Sequence, residues 1–173
     1  TIKRFESPIK DEITQIASAE FNSTGEKIIV AYKLEKEIIV WDIKSGLISL
    51  RLRFENEIEK ASFTPDNKNI IIISPWKTIQ VINANTGAFV SKLIGHTDDI
   101  YEYDFNKDIS LIATASRDST AAIWEIASGK KNVTLKGHLG FVDHIKFSPD
   151  NKTIITGSYD NTAKVWDANS GKL

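Results

Sequence analysis

The residues that could do chemistry come in matched pairs. The stretch "ASRDSTAAIWE" places Asp118 six residues before Trp124, and "GSYDNTAKVWD", 42 residues later, places Asp160 six residues before Trp166. Upstream of each stands a Gly-His dipeptide, Gly95-His96 and Gly137-His138. Histidine with carboxylate is the usual pairing for general acid–base catalysis. A duplicated set, however, asks what an Asp at that offset does for a Trp. A buried indole N–H needs an acceptor and a buried carboxylate needs donors, so the same residue types can serve structure alone. The structural reading is the one adopted here. His144 lies outside the pattern, on the polar phase of "FVDHIKF", and one lone histidine makes no metal site.

Other chemical motifs are absent or empty. The chain has no G-x-G-x-x-G, P-loop, HExxH or C-x-x-C. "SPIK" at Ser7 matches S-x-x-K without its companion motifs. "DFNKD" at Asp104–Asp108 is dense in oxygen ligands but lacks the glycine and distal glutamate of a calcium loop, and it aligns with a turn. Neither a metal nor a cofactor is expected.

The totals are those of an ordinary globular chain: 173 residues, net charge −1, 41 % hydrophobic, with neither Cys nor Met. No basic excess stands ready to neutralise phosphates, so nucleic acid is not an expected partner. No apolar run approaches the roughly 18 residues of a membrane span, and no signal peptide is visible. A membrane partner is therefore not expected, and a cytoplasmic location is. A chain that opens at Thr1 and holds no Met reads as a fragment.

What must position these residues is a repeat. Ile16, Ile58, Ile100 and Val142 align at steps of 42, as do Phe21, Phe63, Phe105 and Phe147, and Ile28, Ile70, Ile112 and Ile154. Gly46, Gly87, Gly129 and Gly171 follow at 41, 42 and 42, which puts one extra residue between the second and third strands of the first unit. The units run 12–53, 54–94, 95–136 and 137–173, after a lead-in strand within 1–11. Each unit alternates short β-branched runs with Pro, Asp, Asn and Gly turns, which predicts four strands per unit and no helix. A period near 42 with four strands suits a propeller blade, which is stable only when stacked on its neighbours.

These residues resemble the WD-repeat β-propellers. The third and fourth units carry the full signature of Gly-His, turn Asp and Trp-Glu or Trp-Asp. The first keeps "WDIKSG" from Trp41 but reads Asp11-Glu12 for Gly-His. The second has Arg53-Phe54 there, "SPWKT" for the Asp turn and "VIN" for "VWD". The resemblance implies an all-β fold of four-stranded antiparallel blades and a buried chain of His96, Thr114, Asp118 and Trp124, repeated as His138, Thr156, Asp160 and Trp166. Ser116 and Ser158 are rival hydroxyls. It also implies a non-catalytic scaffold that binds a peptide or partner protein on one loop face. The positions that would line that face are Trp76, Arg117, Tyr159, Phe141, Asp98 and Asp99, with Gly140.

Two further function readings stand beside this one. The chain could be the sensor or autoinhibitory module of a larger signalling protein. An enzyme with a propeller active site would need a repeated acidic or His set on the innermost strands, and none is present. About four blades fall short of a WD ring. A fragment of a larger propeller is the favoured explanation, with half of an eight-bladed dimeric ring or closure of four alone as alternatives. Open end blades would invite self-association.

Overall fold

The computed structural model describes residues 15–75 and 77–173, so the expected lead-in strand and Trp76 lie outside the described residues. The described chain is all β, with fifteen strands. The first sheet has the order β1-β2-β3-β4, from β1 (Ile16–Phe21), β2 (Lys27–Tyr32), β3 (Glu37–Asp42) and β4 (Ile48–Arg53). The second is β5-β6-β7-β8, from β5 (Lys60–Phe63), β6 (Asn69–Ser74), β7 (Thr78–Asn83) and β8 (Phe89–Ile94). The third, in meander order again, holds β9 (Ile100–Phe105), β10 (Leu111–Ser116), β11 (Thr120–Glu125) and β12 (Lys131–Lys136). The fourth has three strands among the described residues, β13 (Val142–Phe147), β14 (Thr153–Ser158) and β15 (Ala163–Asp167). Every pairing with a defined register is antiparallel.

Turn chemistry sets this meander. Three residues separate β10 from β11, whereas Lys33–Lys36 supply four between β2 and β3, which is where the 41-residue step placed the extra one. The residue that follows the Trp column caps the next turn. Asp42 Oδ1 accepts the backbone N–H and hydroxyl of Ser45, both at 2.7 Å, and Asp167 Oδ1 does the same for Ser170. Those bonds hold both carboxyls below the usual carboxylate range. In the degenerate second unit Asn83 Oδ1 accepts the N–H and hydroxyl of Thr86, so "VIN" keeps the turn function of "VWD".

The described residues divide into two compact units, 15–75 with 81–89, and 77–80 with 90–173. In the first, Ile29, Ala31, Ile38 and Val40 pack against Ile58, Ala61, Ile70 and Ile72. Ser18 Oγ accepts the Ala61 N–H there at 3.0 Å. In the second, Ala113, Ala115, Ala121 and Ile123 pack against Val142, Ile145, Ile154 and Trp166. Glu102 and Asp104 on β9 accept the N–H groups of Ile145 and Phe147, each at 2.8 Å, locking one innermost strand to the next. A sheet face covered in this way needs small or branched apolar residues, which the aligned columns supply.

The column residues Ile16 and Phe21 depart from their later counterparts, for both are exposed on β1. Ile58 and Phe63 are covered because a preceding sheet packs on them; among the described residues β1 has none.

Candidate functional site

The paired His and Asp residues do meet, across loop and turn. In the third sheet the Trp124 indole N–H donates to Thr114 Oγ1 at 2.8 Å. Thr114 Oγ1 lies 2.8 Å from His96 Nε2, and His96 Nδ1 lies 2.9 Å from Asp118 Oδ2. The fourth sheet repeats the chain, with Trp166 to Thr156 at 2.7 Å and His138 to both Thr156 and Asp160 at 2.8 Å. Both hydroxyls therefore come from the threonines. Ser116 and Ser158 instead donate to the carbonyls of Asp98 and Gly140.

The ends of the chain fix its direction. An indole only donates and a carboxylate only accepts. With a neutral imidazole the Thr114 proton goes to His96 Nε2 and the ring carries its own proton on Nδ1; the Ala122 carbonyl, 3.4 Å from Thr114 Oγ1, is a second and longer acceptor. A neutral histidine satisfies every atom. Burial pushes the His96 pKa down, Asp118 opposes this, and the Lys131 charge adds to it. For Asp118 burial acts upward, but bonds from the Thr120 hydroxyl, the Thr97 N–H and His96 outweigh it and hold the carboxyl below its ordinary range. Asp160 is lowered further, first by the Thr162 hydroxyl at 2.6 Å, against the opposing effect of burial, and then by the Leu139 N–H and His138.

Hydroxyl, imidazole and carboxylate in this order have the geometry of a nucleophile, its base and an orienting acid. Accessibility argues against that use. Thr114 is 0 % exposed, and its oxygen already accepts the indole N–H. No substrate carbonyl could reach it. A cleft of about 220 Å³ lies beside His96, lined also by Thr97, Asp118, Lys131 and Lys136. Among the described residues no three His, Asp or Glu side chains gather to hold a metal ion.

The motif glycine serves the same assembly. Gly95 has φ of 149°, and a Cβ there would stand 3.3 Å from the Trp124 ring; Gly137 has φ of 156° and its Cβ would stand 3.2 Å from Trp166. Only glycine combines that backbone with so close an approach.

Each buried chain braces a piece of rim. Asp118 Oδ2 accepts the Thr97 N–H, Ser116 Oγ accepts the Asp118 N–H, and the Arg117 N–H donates to the Asp99 carbonyl. In the fourth sheet Asp160 Oδ2 accepts the Leu139 N–H, Ser158 Oγ accepts the Asp160 N–H, and the Tyr159 N–H donates to the Phe141 carbonyl. These bonds tie the loop after Gly-His to the turn carrying Arg117 or Tyr159. On this rim the Arg117 guanidinium lies 5.0 Å from the Phe141 ring centroid, and the Phe141 and Tyr159 centroids are 6.0 Å apart. Tyr159 is 68 % and Leu139 93 % exposed. Arg117 and Asp99 are exposed as well, and Asp98 is half-buried with Oδ1 on the Asp99 N–H. Trp76 lies outside the described residues. Thr97 and Leu139 are rim residues missing from the sequence reading; their place directly after Gly-His is the available signal.

Comparison with known proteins agrees with this geometry. The family described as WD domain, G-beta repeat matches residues 87–125 and 129–167. The chain is 29 % identical over 138 residues to mouse apoptotic protease-activating factor 1, a match covering 76 % of this chain and 11 % of that protein. It is 34 % identical over 133 residues to eukaryotic translation initiation factor 3 subunit I of Vanderwaltozyma polyspora, covering 73 % and 38 % of the two. It is also 34 % identical over 117 residues to protein tipD of Dictyostelium discoideum, covering 67 % and 19 %. The chain thus spans between 11 % and 38 % of the length of these relatives. With two full signatures folded into two equivalent hydrogen-bonded chains, it belongs to the WD-repeat family.

Proposed function

We propose that the chain is a non-catalytic protein-interaction scaffold that binds a peptide or partner protein on the loop face carrying Arg117, Phe141, Tyr159, Asp98 and Asp99, with Trp76. The observation that carries this reading is the Arg117–Phe141–Tyr159 cluster, left open to solvent on loops that the buried chains hold in place. Trp, Tyr and Arg dominate interface energetics, and a braced surface loses less entropy on binding. The similarity to a translation initiation factor subunit supports a role within an assembly. Affinity capture with the wild-type chain and a Trp76→Ala, Arg117→Ala double variant tests it. The double variant should lose the captured partner, and equal capture by both would remove this face from the proposal.

A second reading, as the sensor or autoinhibitory module of a larger signalling protein, is favoured by the match to a small part of apoptotic protease-activating factor 1. An effector domain in the same gene product would support it. Self-association accompanies the proposal. Ile155 and Val165 are 48 % and 54 % exposed on the fourth sheet, whereas the corresponding Ala113 and Ile123 are covered. Sedimentation equilibrium showing only monomer would exclude it. A cytoplasmic location belongs to the same proposal, and imaging of the tagged gene product tests it.

A further inference from the structure

Three arginines lie among the described residues, and two are committed. Arg51 bonds both oxygens of the Glu37 carboxylate, at 2.6 and 3.1 Å, and Arg53 approaches it at 3.5 Å. Arg117 is different. Its guanidinium lies over the Phe141 ring, 5.0 Å from the centroid, and among the described residues no carboxylate or carbonyl accepts its side-chain N–H groups. Attraction to the ring face limits the positions the guanidinium would otherwise sample and uses none of its N–H donors. The edge of the guanidinium is a rigid fork of donors whose spacing fits the two oxygens of a carboxylate. The Phe141 ring in turn lies 6.0 Å from the Tyr159 ring, and Leu139 stands two residues before Phe141; Tyr159 and Leu139 are both exposed.

We infer that Arg117 receives a carboxylate of the bound partner, an Asp or Glu side chain next to an apolar residue that covers Tyr159 and Leu139. This deepens the loop-face reading and rests on it. Charge decides for a carboxylate over a phosphate. The Arg117 backbone is bonded to the loop of Asp98 and Asp99, and Asp118 follows it in sequence; Lys77, on the Thr97 carbonyl of that loop, is one cation against these three carboxylates. A phosphate brings about −1.5 to −2 charges into those surroundings, and a carboxylate brings about −1. One guanidinium satisfies the carboxylate fully and leaves part of a phosphate unpaired.

A library of random dodecapeptides displayed on phage, selected against the intact chain, supplies the probe. Enriched peptides are then synthesised and their binding measured by fluorescence anisotropy. The expected consensus has Asp or Glu within two positions of an aliphatic or aromatic residue. Replacing that acid by its amide, or making Arg117→Lys in the chain, should each weaken binding about ten- to hundred-fold. The two changes together should cost little more than either alone, while the urea midpoint of the Arg117→Lys chain stays put. Peptides that need Tyr159, by the test of Tyr159→Ala, yet bind the Arg117→Lys chain equally well would overturn the carboxylate assignment and leave the loop face standing. So would displacement of the peptide by inorganic phosphate more strongly than by acetate at matched ionic strength. Peptides indifferent to both substitutions, or no enrichment at all, would overturn the loop face and the carboxylate together.

Discussion

Replacing Thr114 by Val tests the hydrogen-bonded chain at its centre. Val matches Thr in shape, so packing is nearly unchanged, but two buried atoms lose their partner. The Trp124 N–H loses its acceptor and His96 Nε2 loses its donor, both at 2.8 Å in the wild type. A buried polar group left unpaired costs about 1–3 kcal/mol. The two orphans together should cost about 2–6 kcal/mol on the same basis. Thr114→Ser is the control. It keeps the hydroxyl and removes one methyl, worth about 1 kcal/mol of burial. Urea unfolding followed by tryptophan fluorescence gives both values, with the m-value confirming that the same surface is exposed. A cycle with Trp124→Phe then isolates one bond, because in that background Thr114→Val orphans only the histidine and should cost about 1–3 kcal/mol less. A Val chain as stable as the Ser chain would refute the whole account of these residues, since packing would then outweigh the network.

Three other outcomes follow from the geometry. Ile109 stands at φ of 61°, where Gly25, Asn67 and Asn151 occupy the matching turns, so Ile109→Asn should stabilise by about 1 kcal/mol, read as a higher urea midpoint; a lower midpoint would deny the strain. The lowered His96 pKa means that the unfolded chain binds the proton more readily, so stability at that site is full above the ordinary histidine value and declines as pH falls below about 6.5. The lowered Asp118 and Asp160 add a second loss below about pH 3.8, and urea midpoints rising on acidification from pH 7 to 5 would contradict the neutral histidine. Ser158→Ala removes the bond to the Gly140 carbonyl at 3.1 Å, which should raise hydrogen exchange at the Tyr159 and Asp160 amides while the fold persists; unchanged protection would show that the loop is held by other means.

The periodicity made the sheets legible because a blade repeats its own solution. A column of Ile16, Ile58, Ile100 and Val142 in phase records one strand used again, and even the extra residue of the first hairpin was visible as a short step between glycines. Ile58 and Val142 are buried and Ile16 is not, because burial depends on what packs against a strand, which a column does not state. The choice between Thr114 and Ser116 was also closed to sequence. Both point to the same side of β10, and only the approach of the His96 ring and of the Asp98 carbonyl assigns each its hydroxyl. The contact of Arg117 with Phe141 joins residues of two repeats 24 positions apart, a contact of loops that no period encodes.

The buried chains and the open rim are parts of one device. Asp118 has two carboxylate oxygens and spends them differently: Oδ2 on His96 and the Thr97 N–H, Oδ1 on the N–H and hydroxyl of Thr120. It is thereby tied inward to the Trp and outward to both strands that flank the rim. Asp160 does the same for His138, Leu139 and Thr162. Were either aspartate free to move, the loop before Ile100 or Val142 would keep only two of these bonds: the backbone bond of Arg117 N–H to Asp99 or Tyr159 N–H to Phe141, and the Ser116 or Ser158 hydroxyl on the Asp98 or Gly140 carbonyl. A loop so held would sample many positions and would lose that entropy on each binding event. If the rim is the docking face proposed above, residues that resemble a catalytic set contribute to recognition without touching a ligand. They fix the distance between Arg117, Phe141 and Tyr159 before any partner arrives.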